Sequence, residues 1–176
     1  YRGDGLQLAS GNEAEGLRLW DIGPGSCVAK IKKNMLHLKS VSYRGDGLQL
    51  ASGDSNNLLR LWVIEAGMLK CEAELKGHTL DVTSVSYRGD GQQLASGSND
   101  HTIRLWEVAT GRCEAVLKGH TNEVTSVTYR PDGLQLASAG KDETIRFWDV
   151  PSGCREAKLK GHNYSVISVS YRGDGL

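Results

Sequence analysis

His78, Ser96 and Asp100 are the residue types from which a serine hydrolase builds its base, nucleophile and orienting carboxylate. The same types stand again as His120, Ser138 and Asp142, each 42 residues further on. Acyl-transfer chemistry requires one constellation set apart from its surroundings, so a set that recurs at a fixed interval belongs to the architecture. No other nucleophile and base stand outside the repeat, and the expectation is a chain with no catalytic residue.

The remaining reactive residues follow the same rhythm. Cys27, Cys71, Cys113 and Cys154 are separated by 44, 42 and 41 residues. None forms a CxxC pair, so neither a zinc site nor a redox centre is expected, and one thiol per unit favours reduced cysteines in an intracellular setting. Of the five histidines, His78, His120 and His162 each follow a glycine, while His37 and His101 fall on turns. No histidine pair has the spacing of a metal site, and no GxxxxGK phosphate loop is present; no metal and no cofactor are expected. The tripeptide RGD, at Arg2, Arg44, Arg88 and Arg172, out of context reads as an adhesion signal. At Tyr129 the same loop reads RPDG, and Pro-Asp-Gly is ordinary tight-turn chemistry, which favours a turn at every copy.

These residues are carried on a repeat. YRGDG opens at Tyr1, Tyr43, Tyr87 and Tyr171 and YRPDG at Tyr129, while Trp20, Trp62, Trp106 and Trp148 keep steps of 42, 44 and 42. Residues 78–119 resolve into four strand-like runs, Val82 to Tyr87, Gln92 to Ser96, Thr102 to Val108 and Cys113 to Leu117, separated by turn residues. Helical periodicity is absent. Ile103 and Leu105 on one face with Trp106 and Val108 on the other predict a sheet sandwiched between neighbours. Glu72, Glu74 and Glu114 in the last run read as polar dressing of an outer edge. Val82 and Val85, three apart, predict a bulge that turns both inward.

Gly77-His78 followed by Trp106-Glu107, and Gly119-His120 followed by Trp148-Asp149, each with 27 residues between the pairs, resemble the WD-repeat family. The resemblance spans essentially the whole chain and implies an all-β fold, a β-propeller of four-stranded antiparallel blades around a channel. It also implies structural tetrads, His78, Ser96, Asp100 and Trp106 in one blade and His120, Ser138, Asp142 and Trp148 in the next. Two units depart from that pattern: Asn34 and Asn56 occupy the His and Asp positions in the blade of Trp62, and Ala14 occupies the Asp position in that of Trp20. Those blades are expected to fold but to be locally weaker.

The expected units are roughly 1–33, 34–77, 78–119 and 120–161, with residues 162–176 supplying the first strand of a further or closing blade. Three strands from the first unit, twelve from the next three and one at the end make sixteen, which equals four blades if the last strand closes the first. The resembling family usually closes with seven or eight, so the chain reads as one segment of a larger ring, or as four repeats that self-associate if they stand alone.

Lys plus Arg and Asp plus Glu each number 21, which leaves no net field to attract nucleic acid or an anionic membrane. The expectation is a cytoplasmic scaffold that binds protein or peptide partners through one loop face. The alternative is the sensor or regulatory repeat region of a larger signalling protein or enzyme. What varies between repeats at the tetrad end gives the candidate partner-binding residues: Met35, Leu36, His37, Leu80, Asp81, Asn99, His101, Asn122, Glu123, Lys141, Glu143 and Tyr164. Met, Leu and Tyr among mixed charges suit protein recognition better than phosphate binding.

Overall fold

The computed structural model describes residues 7–12, 16–31, 37–65 and 68–172. Among them there is no helix and there are fifteen strands. The first sheet holds β1 (Gln7–Asn12), β2 (Gly16–Asp21) and β3 (Ser26–Ile31). The second holds β4 (Leu38–Tyr43), β5 (Gln49–Asp54), β6 (Leu58–Glu65) and β7 (Met68–Lys76). The third holds β8 (Val82–Tyr87), β9 (Gln93–Ser98), β10 (Thr102–Glu107) and β11 (Cys113–Lys118). The fourth holds β12 (Val124–Tyr129), β13 (Gln135–Gly140), β14 (Thr144–Asp149) and β15 (Arg155–Lys160).

Every sheet is an antiparallel meander, and the sheets stack through their first strands, β4 against β8 and β8 against β12. The core therefore lies between sheets. Ile103, Leu105 and Leu117 of the third sheet meet Val124, Val127, Tyr129, Leu136 and Trp148 of the fourth. One repeat earlier, Leu59, Leu61 and Leu75 meet Val82, Val85, Tyr87, Leu94 and Trp106. Each central sheet thus offers a Leu face forwards and a Trp face backwards, which explains why its third strand is apolar on alternate sides.

The spacing of Val82 and Val85 is resolved by a register shift between Val82 and Ser84, and both valines are buried. The same bulge recurs at Val124/Ser126 and Leu38/Ser40. A second bulge in each sheet separates the pairings of the third and fourth strands beside the tryptophan, as at Leu105/Trp106.

The first sheet has three strands among the described residues, matching the second to fourth strands that the first unit is expected to supply. One expectation needs correction. Residues 166–171, expected as the sixteenth strand, pair with no strand among the described residues, because no second strand lies beside them. They nonetheless dock on the fourth sheet, where Val166 N donates to Gly140 O at 3.1 Å and Val169 N to Ser126 Oγ at 3.3 Å. The four sheets form an arc without ring closure through these residues.

Candidate functional site

At one end of the arc the loop before each first strand meets the turn between the second and third. In the third sheet Trp106 Nε1 donates to Ser96 Oγ at 2.8 Å, Ser96 Oγ lies 2.7 Å from His78 Nε2, and His78 Nδ1 lies 2.8 Å from Asp100. In the fourth sheet Trp148, Ser138, His120 and Asp142 repeat the chain at 2.8, 2.8 and 2.9 Å. A neutral imidazole satisfies every link: indole N–H to Ser oxygen, Ser O–H to Nε2, Nδ1–H to carboxylate. Asp100 also accepts from Thr79 N and Thr102 N, and so joins loop to turn.

The electrostatics follow from this burial. Desolvation lowers the pKa of His78 and His120, outweighing the opposing pull of Asp100 and Asp142. Desolvation would raise the Asp100 carboxyl, but hydrogen bonds from Thr102 and His78 prevail and hold it at about 2. Ser96 and Ser138 are fully buried, with both hydroxyl links taken by Trp and His. Neither oxygen is presented to a substrate.

The departing units keep part of the arrangement. Trp20 donates to Ser10 at 2.7 Å and Trp62 to Ser52 at 2.9 Å. In the sheet of Trp62 a carboxylate enters two residues early: Asp54 accepts from Asn56 N and pairs with the buried Arg60. Arg146 holds the same strand position and pairs with Asp142 at 3.1 Å. This recurrent arginine, two residues before each tryptophan, escaped the sequence reading, although its periodic place in an otherwise apolar strand was the signal. It also explains the glycines before His78 and His120: a Cβ on Gly119 would come within 2.8 Å of Arg146 Nη1 and 3.2 Å of the Trp148 ring, and one on Gly77 within 2.8 Å of Arg104 Nη1.

The structure gathers most of the partner-binding candidates at this end. Asn99 N donates to Asp81 O at 3.0 Å and Lys141 N to Glu123 O at 2.8 Å, so loop and turn are tied backbone to backbone. Asp81 also accepts from Ser55 of the preceding sheet, at 3.0 Å, and the Lys141 ammonium pairs with Glu123 at 2.6 Å. Asn122 is turned to its own loop, accepting from Glu123 N. Leu80 is 50% exposed and Tyr164 85% exposed. His37, His101 and Glu143 are exposed and have positive φ, 58°, 67° and 63°. Met35 and Leu36, with Asn34 and Ala14, lie outside the described residues.

The opposite end carries the RGD loops. Arg44 pairs with Asp46 at 2.7 Å, Arg88 with Asp90 at 2.8 Å and, in the RPD copy, Arg130 with Asp132 at 2.7 Å. Gly91 N donates to Arg88 O at 2.8 Å, closing a tight turn in which Gly91 has φ +70°. Arginine and aspartate are spent on each other in all three loops. Arg2, Gly173 and Asp174 lie outside the described residues.

Among the described residues no group of His, Cys, Asp or Glu could hold a metal ion, and no helix is long and apolar enough to cross a membrane. The family model described as WD domain, G-beta repeat matches residues 69–107 and 111–149. These two stretches end on Trp106-Glu107 and Trp148-Asp149, and so contain both complete His–Asp pairs together with the first three strands of the third and fourth sheets. No curated protein matches the chain.

Proposed function

We propose, proceeding from this chain's membership of the WD-repeat family, that it is a non-catalytic scaffold whose tetrad end binds protein or peptide partners. WD repeats generally mediate protein–protein interaction and are typically non-catalytic. The observation that carries the reading is the fixing of that end: loop and turn are joined by Asn99–Asp81 and Lys141–Glu123 backbone bonds, with Leu80 exposed on the loop between them and the tetrad. Loops held before binding lower the ordering cost of association, and an exposed Leu or Tyr supplies apolar contact area. The chemistry-bearing residues support the same reading, since each tetrad serine is sealed between an indole and an imidazole.

The net charge of zero favours protein over nucleic acid as the partner class. The four unpaired thiols, three of them exposed, favour a reducing compartment and support a cytoplasmic location.

The test is selection of binders from a displayed random-peptide library on the immobilised chain, followed by mapping. Binders that lose at least tenfold in affinity to Leu80→Asp or Tyr164→Asp, and nothing to Leu48→Asp or Leu134→Asp at the opposite end, support the reading. Binders indifferent to the first pair and sensitive to the second overturn it.

A further inference from the structure

Two seams between neighbouring sheets open on the tetrad end, and they are closed differently. Between the second and third sheets Ser55 Oγ donates to Asp81 at 3.0 Å and Asn57 Nδ2 to Thr79 O at 3.1 Å, so the turn of one sheet is tied to the loop of the next. The strand registers put Asn99 and His101 at the places of Ser55 and Asn57 one repeat on, where they stand opposite Glu123 and Thr121. Among the described residues neither side chain bonds across to that loop. Glu123 pairs instead within its own sheet, with the Lys141 ammonium at 2.6 Å.

What the second seam leaves over is acceptors. Asn99 Oδ1 is shielded from solvent and accepts from no donor among the described residues. On one side of it Asn99 N donates to Asp81 O at 3.0 Å; on the other stands Glu123, as Asp81 stands beside Ser55. Each carboxylate has capacity beyond the single side-chain donor it now receives, from Ser55 in one case and Lys141 in the other. Two carboxylates face one ammonium here, so the balance is negative, and Leu80, 50% exposed, adjoins Asp81. A shielded acceptor without a donor carries a desolvation cost that a donating ligand removes.

We propose, resting on the partner-binding reading above, that this seam takes an arginine side chain of the partner protein, its guanidinium donating to Asp81, Asn99 Oδ1 and Glu123 while a neighbouring apolar residue covers Leu80. Asn99 as a whole is only half-buried, so a turn of its amide presents the oxygen to the ligand. A guanidinium suits acceptors on both sides of one amide, because its N–H donors fan out in a fixed plane, whereas an ammonium is a compact point charge. Lys141 is the internal competitor: its ammonium holds Glu123 and, with a side chain 46% exposed, withdraws to solvent when the guanidinium arrives.

The test is an NMR titration of the nitrogen-labelled chain with N-acetyl-arginine methylamide at millimolar concentration. Saturable shifts centred on Asp81, Asn99 and Glu123 are expected, with the uncharged citrulline analogue and the lysine analogue each weaker by about fivefold or more. Asp81→Asn and Glu123→Gln, which keep the shape of each side chain, weaken the arginine probe. Lys141→Met tightens it by about threefold or more, a gain that a merely structural role for these residues would not produce. Shifts that do not saturate, equal binding of the citrulline or lysine analogue, or weaker binding to the Lys141→Met chain overturns the proposal. Library peptides that depend on Leu80 yet carry no arginine overturn it too and leave the partner-binding reading standing, whereas peptides that fail the mapping above remove both.

Discussion

The Tyr87 hydroxyl leaves its own sheet and donates to Gln49 Oε1 of the sheet before it, at 2.8 Å. Gln49 Nε2 in turn donates to Glu72 at 2.6 Å, so one side-chain relay joins a first strand to the second and fourth strands of its neighbour. The relay recurs as Tyr129, Gln93 and Glu114 at 2.9 and 2.6 Å, and as Tyr171, Gln135 and Glu156. A directional polar chain of this kind, buried at its Tyr87–Gln49 and Tyr129–Gln93 links and exposed at its glutamates, constrains how adjacent sheets are rotated against each other, a job that non-directional Leu–Val contact does poorly.

Tyr129→Phe keeps the ring in its apolar place and removes the donor. Gln93 is then left with an amide oxygen that no longer accepts this bond. The expected cost is about 1 to 3 kcal/mol, the range for a buried polar group deprived of its partner. Urea unfolding measures it, and a midpoint within error of the parent chain would show the relay to be incidental.

How far the sequence foretold this architecture can be judged from particular residues. Spacing alone placed β8 and the valine bulge, because a period of two broken once by a period of three has a single steric solution on a half-buried strand. The tetrad residues stand in the chain at offsets that the structure closes into hydrogen bonds. The Tyr–Gln–Glu relay was hidden, although Gln49, Gln93 and Gln135 recur at one place in a buried strand. Glu72 and Glu114 are exposed on the edge strands β7 and β11, as alternation predicts; what alternation does not show is that each sits at the fourth-strand bulge and reaches a glutamine from there. The exchange of Asn56 for Asp54 beside Arg60 was equally opaque, since a carboxylate shifted by two residues looks like a loss.

Stability should fall on acidification in two separate stages. His78 and His120 are held neutral below their ordinary pKa of 6.5, so the unfolded chain binds more protons than the folded one once the pH drops towards and below that value. Stability is therefore fully present above about pH 7 and declines as the pH passes below 6.5. The second stage belongs to Asp100, whose carboxyl is held at about 2 against an ordinary 3.8; its contribution is present above pH 4 and is lost between there and 2. Unfolding free energy measured from pH 8 to 5 should show a positive slope in the parent chain. That slope should flatten in the His78→Gln, His120→Gln double variant, and equal slopes in the two proteins would exclude the imidazoles as its source.

His101 occupies the left-handed region with φ 67° at the tip of the turn that bears Asp100, a conformation that costs a non-glycine residue about 1 to 2 kcal/mol. Its amide donates to Ser98 O at 3.2 Å, so the turn itself requires this backbone and the side chain only tolerates it. His101→Gly should therefore raise the unfolding free energy by about 1 kcal/mol while removing an exposed imidazole from the tetrad end. If that end recognises partners, the more stable variant should bind selected peptides more weakly, the opposing movement expected where strain is kept for function. Thermal melting and peptide titration on the same sample read both effects. A variant that gains stability and keeps full affinity would leave His101 as a turn residue with no part in recognition.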